Sequence, residues 1–140
     1  MPSDRTYELR HWAFGDDVRS AAVELLLRTD LANEAHPWVV HDRAWDTWAI
    51  DLDTLTEHIT GFAAEHRARH LTPSRLAVLS VAAALADDAP IKLRALLPSL
   101  EYEHAELVMI ALAHSAGYTQ FTTTDTAEGI VYPPRPPLAI

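Results

Sequence analysis

The stretch Leu71-Thr-Pro-Ser-Arg-Leu-Ala-Val-Leu-Ser-Val-Ala-Ala-Ala-Leu-Ala86 decides how this chain folds. Between Leu76 and Ala86 every residue except Ser80 is apolar. A helix here has no continuous polar face and must be covered by other elements on most sides. Its start is signalled twice: Thr72 can cap it, and Pro73 suits the first helical position, where its missing N–H would have had no partner. Asp87-Asp88-Ala89-Pro90 ends it. The run is shorter than the roughly 20 residues that cross a bilayer, so it reads as the buried central helix of a globular fold.

Working outward towards the N-terminus, Asp53 to His66 forms the preceding helix. Upstream of it the pattern allows two readings. Trp38, His41, Trp45, Trp48, Leu52, Leu55, Ile59 and Phe62 recur at alternating three- and four-residue steps, which suits one long helix from Pro37. Yet Trp38-Val-Val40 and Thr47-Trp-Ala-Ile50 are rich in strand-forming residues, and Asp51, Asp53 and the box Thr54-Leu-Thr-Glu57 announce a fresh helix start. Two cap signals inside one helix would be redundant, so the expectation is a β-hairpin over 38–50 followed by the helix. Before it, Val18, Ala21, Ala22, Leu25, Leu26, Thr29 and Ala32 define an amphipathic helix from about 17 to about 35, opened by Asp16-Asp17. A short helix before Gly15 completes this half.

Towards the C-terminus, a short helix over 91–97 ends at Pro98, and Ser99 is expected to cap a final helix over 100–116 that stops at Gly117. Beyond it the character changes. Gln120-Phe-Thr-Thr-Thr124 and Gly129-Ile-Val-Tyr132 are strand-like, with a turn over 125–128, and Pro133-Pro-Arg-Pro-Pro137 is extended polyproline. The predicted fold is therefore mainly α: four to five helices in one domain around 71–86, with a small hairpin at 38–50. The division is a helical domain over 1–118 and a strand-like, Pro-rich tail over 119–140.

Composition bounds the function. At 140 residues, 49% hydrophobic and 22% charged, the chain can bury a core without staples. It has no cysteine, which excludes disulfides and thiolate chemistry. No apolar run follows the N-terminal basic residue, so no secretory signal is expected and a cytoplasmic location is. The net charge is −9, and a surface of that sign disfavours nucleic acid and membrane partners. Protonating all eight histidines would bring it to −1 (−9 + 8), lowering solubility in mild acid.

The segments Leu25-Leu-Leu-Arg-Thr-Asp-Leu31, Ala49-Ile-Asp-Leu-Asp-Thr-Leu55, Leu76-Ala-Val-Leu-Ser-Val-Ala-Ala-Ala-Leu85 and Glu106-Leu-Val-Met-Ile-Ala-Leu-Ala-His-Ser-Ala-Gly117 resemble those of a family of short, acidic, uncharacterised actinobacterial proteins. They cover less than half of the chain. The resemblance implies no activity, cofactor or site residue.

Two constellations carry candidate chemistry. Glu101-x-x-His104 places a carboxylate and an imidazole on one helix face, with Glu106 nearby, as in dinuclear metal bundles; such sites need a second copy of the motif, and none is present. Acidic residues in a first turn also serve the helix dipole alone. His66 and His70, one turn apart with His58 two turns earlier, give two imidazoles where zinc needs a third ligand, and their polar setting equally suits a solvated helix end. No serine lies in a Gly-x-Ser-x-Gly frame, and no paired glycines make a phosphate loop.

The tryptophans are the strongest signal. Trp12, Trp38, Trp45 and Trp48 crowd into the first third of the chain, and tryptophan is favoured at interface hot spots as well as in cores. The functional expectation is a non-enzymatic, self-associating interaction module, a homodimer using Trp12, Trp38, Trp45 and Trp48 with Tyr132 and Arg135 of the tail, and no cofactor. The alternatives are a small metal-dependent enzyme using Glu101, His104 and Glu106, and an acidic decoy of a nucleic-acid-binding protein.

Overall fold

The computed structural model describes residues 4–60, 71–117, 124–126 and 129–131. Among them are six α-helices: α1 (Asp4–Ala13), α2 (Asp17–Arg28), α3 (Leu52–Thr60), α4 (Pro73–Asp87), α5 (Leu93–Leu96) and α6 (Tyr102–Ser115). Strands β1 (Val39–Asp42) and β2 (Thr47–Ile50) form an antiparallel hairpin between α2 and α3, in the register Val39↔Ile50 to Asp42↔Thr47. A second antiparallel pair, β3 (Thr124–Thr126) and β4 (Gly129–Val131), follows α6, and β4 lies against α2. The chain is mainly helical with a small hairpin, as the hydrophobic pattern predicts. His66, His70, Tyr132, Arg135 and the polyproline stretch lie outside the described residues.

Helix α4 is built from the signals in its sequence. Thr72 Oγ1 accepts from the Arg75 N–H at 3.1 Å, Pro73 occupies the first turn, and Asp88 closes the helix in the left-handed region at φ 54°. Its buried apolar residues are Ala77, Val78, Leu79, Val81, Ala82 and Ala83, and α2, α3 and α6 pack on the helix. Small side chains let these axes approach closely, which is why the helix reads as alanine-rich.

Helix α2 shares the centre with α4. Seven consecutive residues, Ser20 to Leu26, are buried, and α1, α4 and α6 all pack against it. The helix expected over 17–35 ends at Arg28. Thr29 Oγ1 donates back to the Leu25 carbonyl at 2.8 Å, and Asp30 turns into the left-handed region at φ 59°. The Leu31 N–H then bonds to the Leu26 carbonyl at 2.8 Å, with Leu26 and Leu31 both buried beneath the turn. This is a Schellman stop with an aspartate where glycine or asparagine is usual, so the pattern runs on past the true end.

The hairpin answers the ambiguity at 38–62. Asp51 is the stop between strand and helix: its Oδ1 accepts from the Thr54 N–H at 3.3 Å, its Oδ2 from the Thr54 hydroxyl at 2.8 Å. The cap is thus Asp51, three residues before the Thr-x-x-Glu box. Two further expectations are corrected near the last helix. Ser99 does not cap α6, because Leu97–Ser99 is a 3-10 turn and the Ser99 hydroxyl donates to the Ala95 carbonyl at 3.3 Å. Helix α6 begins at Tyr102, with Glu101 in the cap position and no side-chain cap of its own.

Candidate functional site

The four tryptophans meet three fates. Trp38 is 1% exposed and belongs to the core. Its indole N–H donates to the Leu31 carbonyl at 2.6 Å; His36 stacks on it with centroids 4.7 Å apart, and His58 meets it edge-on at 5.2 Å. Buried with its polar atom satisfied, Trp38 is removed from the expected contact surface. Trp12 and Trp48 are half-buried beneath arginines: Arg19 lies over Trp12 at 4.5 Å and Arg5 over Trp48 at 4.7 Å from the ring centres. Arg5 also pairs with Glu34, and His41, the cross-strand neighbour of Trp48, meets that ring edge-on at 5.4 Å. A cation held over an aromatic face is attracted by its quadrupole and covers it from water.

Trp45 alone stands clear, 81% exposed at the tip of the hairpin. The turn beneath it is made by Asp42 Oδ1, which accepts from the Ala44 N–H at 2.9 Å, and by Asp46 at φ 49°, whose carboxylate bonds to His41 Nε2 at 3.1 Å. The tip is therefore held by its own polar side chains, which frees the indole to project.

Glu101, His104 and Glu106 are brought to the start of α6, where His104 has another employment. Ser74, 2% exposed in the first turn of α4, accepts from the Glu101 N–H at 2.8 Å and bonds to His104 Nδ1 at 2.5 Å. The serine hydroxyl, with one hydrogen and two lone pairs, can hold both partners at once: it accepts from the Glu101 amide and shares a second hydrogen bond with the His104 imidazole. One serine thus caps α6 from a neighbouring helix and fixes the imidazole. Neither role is visible in sequence, because Ser74 and Glu101 are 27 residues apart. Glu101 is exposed and Glu106 half-buried. Among the described residues no three His, Asp or Glu side chains converge to hold a metal ion. His58 is committed through Nδ1 to the Thr54 carbonyl at 2.9 Å.

A buried carboxylate also escapes the sequence reading. Glu24, 1% exposed in the middle of α2, accepts from Arg10 through two nitrogens at 3.0 and 3.2 Å and from Arg28 at 3.0 Å. The Glu24–Arg28 spacing of four is legible; the Arg10 partner on α1 is not.

The least expected surface is on α6. From Leu107 to Ala113 the helix is apolar all round, yet it buries only Val108, Ile110, Ala111 and His114. Tyr102, Ala105, Met109, Leu112 and Ala116 recur at steps of 3, 4, 3 and 4, a heptad seam on the side away from those residues. Tyr102 is 83% and Leu112 44% exposed. Among the described residues no helix is long and apolar enough to cross a membrane. No protein-family model, curated protein or solved structure matches this chain.

Proposed function

We propose that this chain is a non-enzymatic interaction module that self-associates through the outer seam of α6, with Trp45 as a second contact. The observation that supports the reading is the seam itself, a heptad of Tyr102, Ala105, Met109, Leu112 and Ala116 without a formal charge. Two copies at −9 each repel, so they approach only where the contact surface is uncharged. An antiparallel pair centred on Met109 sets Tyr102 of one copy beside Ala116 of the other and keeps the Glu103 and Glu106 side chains of the two copies apart. A parallel pair would bring those carboxylates together.

A 14-residue helix is about 21 Å long, and a single helix pair of that length is at the small end of specific interfaces, which gives a dissociable dimer. Sedimentation velocity across a concentration series tests it. Association is expected, and Met109→Glu should abolish it while the far-UV circular dichroism stays unchanged. A Met109→Glu protein that dimerises like the parent would overturn the reading, as would a parent that stays monomeric at every concentration. Salt separates this reading from the acidic decoy: screening tightens an apolar contact between like-charged copies and loosens electrostatic capture. Native mass spectrometry of the same samples reports any metal held by Glu101, His104 and Glu106.

A further inference from the structure

A groove of about 600 Å³ opens between α4 and the segment that runs from Pro90 through α5, with Ile59 of α3 lining it as well. This is within the range of about 300–1,000 Å³ typical of small-molecule sites. Its walls are Leu76 and Ala77 of α4 and Ile91, Ala95 and Leu96 opposite. Two hydroxyls join them, and both spend their hydrogen inside their own elements: Ser80 on the Leu76 carbonyl at 3.0 Å, Ser99 on the Ala95 carbonyl. The remaining polar group is Lys92, the sole lysine in a chain with ten arginines. Its ammonium makes no ion pair or hydrogen bond among the described residues. The acidic residues closest in sequence lie at the end of α4: Asp87 accepts from the Thr56 hydroxyl at 2.8 Å, and Asp88 takes the left-handed cap position.

An apolar trough with one cationic donor on its rim matches an amphipathic anion. We propose that the groove binds a free aliphatic monocarboxylate, its chain along Leu76, Ile91 and Leu96 and its carboxylate on Lys92. A lysine ammonium is a flexible point charge, suited to a single carboxylate at a groove mouth. The overall charge of the protein works against this ligand, which makes the test sharp. At −9 the long-range field favours a cation, so preference for the anion has to come from Lys92.

The experiment is calorimetric titration of the full chain with octanoate, octan-1-ol and octylammonium, and with hexanoate and decanoate as a length series. Octanoate is expected to bind at one site, about fivefold tighter than octanol and tighter still than octylammonium. Each added methylene should tighten binding about threefold to fourfold. Lys92→Gln should bring octanoate to the affinity of octanol and leave octanol unchanged. Ala95→Trp, at an exposed rim position, should fill the trough and weaken both ligands more than tenfold; Ser80→Phe fills it from the opposite wall should the first variant not fold. The proposal is overturned by octylammonium binding as well as octanoate, by Lys92→Gln leaving the preference intact, by a filled groove binding octanoate as before, or by no saturable binding below the critical micelle concentration.

Discussion

The two sides of helix α4 carry residues of the same kind, small and aliphatic, yet only one is filled. Among the elements packed on α4, namely α2, α3 and α6, Val78, Leu79 and Ala82 are 0% exposed. On the side facing α5, Leu76 and Ser80 are half-buried along an open groove. The difference comes from what each side faces. Helices α2 and α6 have 12 and 14 residues against the 15 of α4, whereas α5 has four and a 3-10 turn of three. A partner of one turn cannot cover four turns of helix. Residue type along α4 thus says that both sides want cover, and the length of the neighbour decides which receives it.

Substitutions across that divide measure the difference. Leu79→Ala is expected to have the largest effect, lowering stability by about 3 kcal/mol, because a fully buried leucine leaves a cavity as well as losing its transfer term. Urea denaturation followed by circular dichroism reads this as a lower midpoint at unchanged slope. Glu24→Ala comes next, at about 2–3 kcal/mol. Removing one partner of a buried ion pair costs more than the pair contributes, but here Arg10 and Arg28 are 23% and 37% exposed and can turn towards water. Leu79→Ala costing less than Glu24→Ala would mean that the filled side is held by charge instead of packing.

Ser74→Ala tests the joint between the filled side and α6. It leaves the Glu101 amide and His104 Nδ1 without their partner, and a loss of about 1–2 kcal/mol is expected in the same urea experiment. The ¹⁵N shifts of His104 should move with it, since Nδ1 loses its hydrogen-bond partner. A stability change with no shift of the imidazole nitrogens would show that the serine acts on Glu101 alone.

How far these features were legible in the sequence follows from the range over which each is specified. The α4 start was legible because Thr72, Pro73 and Arg75 lie within one turn. So was the hairpin, where two strands of four residues meet across a four-residue tip. The end of α2 was not, because Asp30 takes a left-handed conformation that its residue type does not announce, and apolar periodicity continues through Ala32. The tryptophans show the limit most plainly. All four are the same residue, and what separates buried Trp38 from exposed Trp45 is the Leu31 carbonyl and two histidines, while Arg5 and Arg19 cover Trp48 and Trp12. The groove and the α6 seam are faces that the described residues leave partly uncovered, which no pattern within a single helix records.

Leu76→Ala, the counterpart of Leu79→Ala on the open side, is expected to have the smallest effect. Both changes remove the same atoms from the same helix, three residues apart. At position 79 the vacated space is sealed, so the lost contacts and the residual cavity add. At position 76 the space already communicates with the groove, and water or a neighbouring side chain enters it, so no cavity term arises and only part of the transfer term is lost. The expected cost is about 1 kcal/mol or less, read as a shift of the urea midpoint. Equal costs at positions 76 and 79 would show that the groove is closed in solution, which would break the contrast between the two sides of α4. A cost at position 76 that rises when octanoate is present, as the parent gains ligand stabilisation and the variant does not, would instead sharpen it.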